Sequence, residues 1–235
     1  MRRLTLGPAL VVGAILFCFT LQPVAAAPVR TTATGIPLDA PWKAAIYDLA
    51  RSKFHHPAWG WQHCERNYDV ALRLAHGDGL RVDTDVLFAA SFLHDMAAFP
   101  PYAKEGVEHG DRAAQTSEAV LRQAGFPMTK LAAVQAAERG HMYYRDPGKE
   151  PEAIVLHDAD SLDFLGAVGA ARMLSLTGEK APDFKPAVDS LRSFLHDIPP
   201  RLITKTARKI GAQRVAELQR LLDELQSETF DGKAL

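Results

Sequence analysis

The sequence predicts an all-α fold: a single helical domain of about 195 residues behind an export segment. Apolar residues recur at helical spacing almost everywhere from Pro41 onward, and no alternating strand pattern of useful length interrupts them. The first thirty residues differ in kind, with Arg2 and Arg3 ahead of an uncharged apolar run over residues 9–21. The composition is ordinarily globular, 47% hydrophobic and 23% charged, without low-complexity tracts. The formal charge of -1 leaves no basic excess to neutralise phosphates, which argues against nucleic-acid partners.

The apolar run is shorter than the roughly 20 residues a membrane-spanning helix needs. Gln22 and Pro23 break it, and Val24, Ala25, Ala26 and Ala27 offer small side chains for cleavage. The expectation is a secretory signal peptide over residues 1–26, cut after Ala26, giving a periplasmic or secreted protein without stable membrane insertion. Cys18 would leave with the signal, so Cys64 stands alone in the mature chain and forms no internal disulfide. An exposed thiol is a liability in an oxidising compartment, so Cys64 is expected to be buried beside His63. Residues 27–40, rich in threonine with Gly35 and Pro37, are expected to be a flexible leader.

The helical domain spans residues 41–235. Pro41 suits the first turn of a helix running to about Lys53. Residues 61–76 carry Tyr68, Ala71, Leu72 and Ala75 on one apolar face, and Gly77 and Gly79 stop the helix. Asp83 is placed to cap a helix over residues 86–96 that is apolar all round, as a central helix must be. Pro100 and Pro101 open a loop to about Gly110. Further helices are expected near 111–124, 129–139, 153–175, 184–197 and 205–227. Trp59 and Trp61 are expected to pack the domain, and His55-His56 to be solvated. His196-Asp197 lacks partner motifs around it.

Three places carry chemistry. His94-Asp95 ends the most apolar helix, where an unpaired polar pair would cost several kcal/mol. A divalent ion satisfies an imidazole and a carboxylate together. His63 begins the preceding helix. Downstream, His157-Asp158-Ala159-Asp160-Ser161-Leu162-Asp163 sets three carboxylates on an otherwise apolar helix, where they repel one another unless something positive intervenes.

The order His63…His94-Asp95…Asp160, with His63-x-x-Arg66 first and Asp158-Ala159-Asp160-x-Leu162-Asp163 last, resembles the HD superfamily of phosphohydrolases. The resemblance covers residues 55–175 and extends to helices over 184–227. It implies a single-domain helical bundle of the HD type, with His63, His94, Asp95 and Asp160 as ligands of one divalent ion: Mn, Fe, Co, Ni, Zn or Mg. Some relatives add two histidines between the His-Asp pair and the last Asp and bind a second ion. His109 and His141 fall in that interval.

Two departures qualify the resemblance. Ser161 stands where the family usually has arginine, and Met96-Ala97-Ala98-Phe99 lacks the acid that many nucleotide-cleaving relatives place after His-Asp. The general acid or base therefore falls to His109, Asp111 or His141. Arg66 and Arg112 are the arginines expected to clamp a phosphate, Arg66 because it shares a helix face with His63. The expected activity is metal-dependent hydrolysis of a small phosphomonoester or nucleotide. The missing acid and aromatic surroundings also suit hydration of a non-phosphate small molecule, as in cyanamide hydratases. A binding module with a closed structural metal is the non-catalytic alternative.

Overall fold

The computed structural model describes residues 29–179 and 182–235 and is all-helical, as the periodicity predicts. The proposed signal peptide lies outside the described residues. Among the described residues, no helix is long and apolar enough to cross a membrane.

The helices are α1 (Pro41–Lys53), α2 (Trp61–Asp78), α3 (Thr84–Leu93), α4 (His109–Ala124), α5 (Leu131–Gly140), α6 (Pro151–Asp163), α7 (Gly166–Leu174), α8 (Lys185–Asp197) and α9 (Lys205–Glu228). Pro41 occupies the first turn of α1, and the Asp83 carboxylate accepts from the Asp85 and Val86 amides to start α3. Every residue of α3 from Val86 to Leu93 is buried. This helix runs through the centre, with α1, α2, α5 and α6 packed against it. Phe88 and Phe92 meet Trp42, Tyr47 and Tyr68 there. Helices α7 and α8 and the long α9 close one end, with α9 laid across α2, α6 and α7.

Three expectations are corrected. Residues 27–40 were expected to form a flexible leader, but residues 30–38 fold back as a small hairpin against α1 and α2. Thr31 pairs with Pro37, Ile36 and Leu38 are buried, the Tyr47 hydroxyl accepts from Ala33, and Glu65 accepts from Thr34. The leader's two apolar side chains gain a core surface that its composition did not reveal.

The helix expected over 153–175 breaks in two. Gly166 takes φ +69, a conformation side-chain-bearing residues resist, and the chain turns there between α6 and α7. The bend brings α7 back across the end of the cleft described below. His56 is not simply solvated either, since its ring stacks on Trp59 at 3.6 Å between centroids. Cys64 is buried, as expected.

Glu138 on α5 is fully buried against α4, where the Ser117 hydroxyl donates to it at 2.8 Å and its second oxygen has no partner. Burial pushes this carboxyl up to about 8, with Ser117 opposing the shift. A folded Glu138 thus keeps its proton to about 8, whereas an unfolded one releases it near 4.5. The folded state binds more protons across that window, so stability present below about pH 4.5 is lost as pH rises toward 8. Denaturant unfolding from pH 5 to 8 is expected to show this decline, and Glu138→Gln is expected to flatten it. An equal slope in both proteins would show that Glu138 does not cause it.

Candidate metal centre

The site is assembled from helix ends. His63 lies in the first turn of α2, His94 and Asp95 follow the last turn of α3, and His109 opens α4. His141 follows α5, and Asp160 sits near the end of α6. Polar side chains concentrate at such ends because backbone groups there are unpaired and apolar packing is thinnest. All six side chains converge on one point, and five of them are buried: His63, His94, Asp95, His141 and Asp160.

Each imidazole is oriented by a partner at Nδ1. His63 Nδ1 donates to Asp163 at 2.7 Å, His94 Nδ1 to the Ser91 carbonyl at 2.9 Å, and His141 Nδ1 to the Glu138 carbonyl at 2.7 Å. His109 Nδ1 lies 3.0 Å from Glu108. Because the Asp163, Ser91 and Glu138 oxygens only accept, the Nδ1 atoms of His63, His94 and His141 carry protons and their Nε2 atoms point inward. His63 and His94 Nε2 then stand 3.2 Å apart, and His109 and His141 Nε2 stand 3.1 Å apart. Facing lone pairs repel, and a cation placed between them removes the repulsion.

Asp95 spans the two pairs. Its Oδ2 is 3.5 Å from both His63 and His94 Nε2, and its Oδ1 is 3.4 Å from His109 and 3.6 Å from His141. Asp160 Oδ1 is 3.1 Å from His63 Nε2, while its buried Oδ2 has no hydrogen-bond partner. Two overlapping trios, His63–His94–Asp160 and His94–Asp95–His141, have ligand atoms close enough to share a metal ion. Paired imidazole nitrogens, carboxylates and an orphaned buried oxygen are the donor set of a divalent transition metal, so the residues fit such an ion.

The electrostatics agree. Burial and Arg172 disfavour a charged His63, yet Asp160, Asp163 and Asp95 overcome them and hold it at about 9. Asp95 and Asp160 stay ionised despite burial, because the surrounding histidines offset the desolvation. His141, by contrast, is pushed down to about 4 by burial and by His94, which keeps it a neutral donor of a lone pair.

A cleft of about 330 Å³ opens onto these residues. Asp95, His109, Asp160 and Arg172 line it together with Trp59, Ala98, Met142, Phe164, Met173 and Leu176. Gly110 permits the closeness of α4 and α5 here: a β-carbon on it would lie 2.7 Å from the Glu138 carbonyl and 3.1 Å from the His141 ring.

Three residues expected to act on substrate are held elsewhere. Arg66 donates to Asp163 through Nε at 3.1 Å and Nη2 at 2.8 Å. Arg112 Nε donates to the Tyr102 carbonyl at 2.9 Å, and Asp111 pairs with Arg145 at 2.9 Å. None of the three lines the cleft. Ser161, in the place of the family's arginine, donates back to the His157 carbonyl at 2.6 Å within α6.

Several contributing residues were not singled out from sequence. Asp163 accepts from His63 and Arg66 and pairs in charge with Arg172, and its spacing of three from Asp160 on one helix was the available signal. Arg172, buried on α7, carried no signal, because the break at Gly166 was not foreseen. Asn67, one turn after His63, donates to Asp160 at 3.3 Å.

Residues 60–165 match the family model of the HD domain. Similar folds occur in solved structures. A Lactobacillus plantarum protein is 23% identical, with 79% of this chain and 95% of that one covered and a TM-score of 0.61. A predicted HD superfamily hydrolase from an uncultured Thermotogales bacterium is 26% identical, with 80% and 93% covered and a TM-score of 0.58. Bacillus subtilis YpgQ, solved in complex with ADP, is 21% identical, with 79% and 97% covered and a TM-score of 0.59. No curated protein matches the sequence. The matched segment contains His63, His94-Asp95 and Asp160 in the order that resemblance required, and residues 60–165 of this all-helical chain form an HD domain.

Proposed function

We propose that this protein is an exported metal-dependent phosphohydrolase that cleaves a small phosphate ester at a centre for two divalent ions. The observation that carries the reading is Asp95, which turns one oxygen toward the His63–His94 pair and the other toward the His109–His141 pair. His63, His94, Asp95 and Asp160 would hold one ion, and Asp95, His109 and His141 the second. His109 and His141 are then ligands rather than proton carriers, in keeping with the low pKa of His141. Divalent ions at such a centre polarise the phosphoryl oxygens and acidify water.

The chain's own residues position and exclude. Asp163, itself fixed by Arg66 and Arg172, keeps His63 in the tautomer that turns Nε2 inward. The Ser91 and Glu138 carbonyls do the same for His94 and His141. The apolar cleft walls keep bulk water from the ester, which strengthens every charge interaction inside. In the net reaction a water oxygen bonds to phosphorus, the bond from phosphorus to the ester oxygen breaks, and a proton ends on the leaving alcohol. The ADP found with YpgQ supports a phosphoryl ligand in this fold. The apolar walls, with Ala98 three residues after Asp95, favour a second reading in which water adds to a non-phosphate small molecule. Release of inorganic phosphate from an ester library under Mn, Co, Ni, Zn and Mg discriminates the two.

Elemental analysis of the purified protein is expected to find two metal ions per chain. His94→Ala and Asp95→Ala are each expected to lose bound metal while keeping the helical circular dichroism spectrum. Full metal content in both would sink the ligand assignment. Asp163→Asn, which keeps the shape but removes the charge behind His63, is expected to weaken metal affinity about 10- to 100-fold, measured by competition with a chelating dye. Expressed with its leader in a Gram-negative host, the protein is expected in the periplasm with Ala27 as its first residue. Cytoplasmic protein beginning at Met1 would refute export.

A further inference from the structure

The cleft that opens onto the metal centre is chemically lopsided. Asp95, His109, Asp160 and Arg172 bring charge or metal-binding capacity to it, while Trp59, Ala98, Met142, Phe164, Met173 and Leu176 supply apolar walls. Arg172 is the only lysine or arginine among the lining residues.

Arg172 is held rigidly. Its Nε donates to the Ala58 carbonyl, and its guanidinium lies over the Phe164 ring at 4.4 Å from the centroid. The side chain is 3% exposed, and Nη1 sits 3.2 Å from Asp163 without a hydrogen-bond partner. Asp163 answers its charge, so Arg172 adds no free cation to the cleft.

A polyphosphate chain reaching beyond the metal-binding residues would place its further charges against tryptophan, methionine, phenylalanine and leucine, where no lysine or free arginine answers them. Burying an unpaired charge costs several kcal/mol. The volume, about 330 Å³, is also at the small end for ligand sites. An apolar or aromatic alcohol portion, in contrast, gains from leaving water and meets Trp59 and Phe164.

Resting on the phosphohydrolase reading above, we infer that the substrate class is a phosphomonoester of an apolar, preferably aromatic, alcohol. Nucleoside diphosphates and polyphosphates are excluded by the walls. The single phosphoryl group meets the cleft at Asp95, His109 and Asp160, and Leu176, partly buried on the wall, helps set the apolar preference.

The test compares kcat/KM of the Mn-loaded protein for 1-naphthyl phosphate, methyl phosphate and ADP. Calorimetry then measures binding of the uncleaved 1-naphthylphosphonate and methylphosphonate. The naphthyl ester is expected to exceed both others by about tenfold or more, and naphthylphosphonate to bind more tightly than methylphosphonate. Leu176→Arg, which gives the wall a cation, is expected to reduce the naphthyl preference over ADP about tenfold. Equal or better use of ADP or methyl phosphate by the unmodified protein would overturn the inference and leave the phosphohydrolase reading intact. Cleavage of no ester at all, with naphthylphosphonate still bound preferentially, would overturn the phosphohydrolase reading but keep the apolar preference of the cleft. Loss of both would remove both.

Discussion

Four imidazoles bring their Nε2 atoms together in two pairs across gaps of 3.1–3.2 Å, three of the four rings buried in a helical core. Such an arrangement needs a proton or a metal ion between the rings, and the Nδ1 protons of His63, His94 and His141 held in place. The rest of the structure serves these two needs. Three carboxylates surround His63 and favour a cation there, whether a proton or a metal ion. Backbone carbonyls at the ends of α3 and α5 grip His94 and His141, so the secondary structure itself fixes two of the four tautomers.

The acidic run on α6 shows how the fold divides its charges. Asp160 faces the metal centre with an unpaired oxygen. Asp163, one turn on, accepts from His63 and Arg66 and sits beside Arg172, and its carboxyl is held far below the usual range despite burial. Asp158 points the other way and accepts from the Ile203 and Thr204 amides at 3.0 and 2.7 Å, tying the start of α9 to α6. Three neighbouring carboxylates thus find three kinds of positive partner: a metal-binding point, two arginines and a helix N-terminus. Mutual repulsion along the helix, the hazard evident in the sequence, is resolved by turning them to different faces.

The residues that converge on the candidate metal site were legible because their chemistry conflicts with their surroundings. His94-Asp95 at the end of an all-apolar helix, and acids embedded among Val155, Leu156 and Leu162, demand compensation wherever they fold. The supporting residues were less legible because nothing local distinguishes them. Arg66 lies on the ligand face of α2, as spacing indicated, yet its partner is a carboxylate 97 positions away. Arg112 and Asp111 flank His109 in sequence, but the first turn of α4 carries them away from the cleft, to Tyr102 and Arg145. The leader was misjudged for a related reason: Ile36 and Leu38 acquire their core surface only from α1 and α2.

By itself the sequence determined the all-helical class, the central place of α3, the caps at Pro41 and Asp83 and the identity of the metal-binding residue types. All of these follow from periodicity, propensity and the cost of burying polar groups, which act within a few residues. Only the tertiary structure decided that Asp95 lies between two histidine pairs, that Asp163 rather than a substrate receives Arg66, and that Arg172 enters an apolar cleft. Those outcomes depend on the angle at which α2, α4, α5 and α6 meet and on the turn at Gly166. They arise from packing between segments far apart in the chain, where no local pattern records the partner.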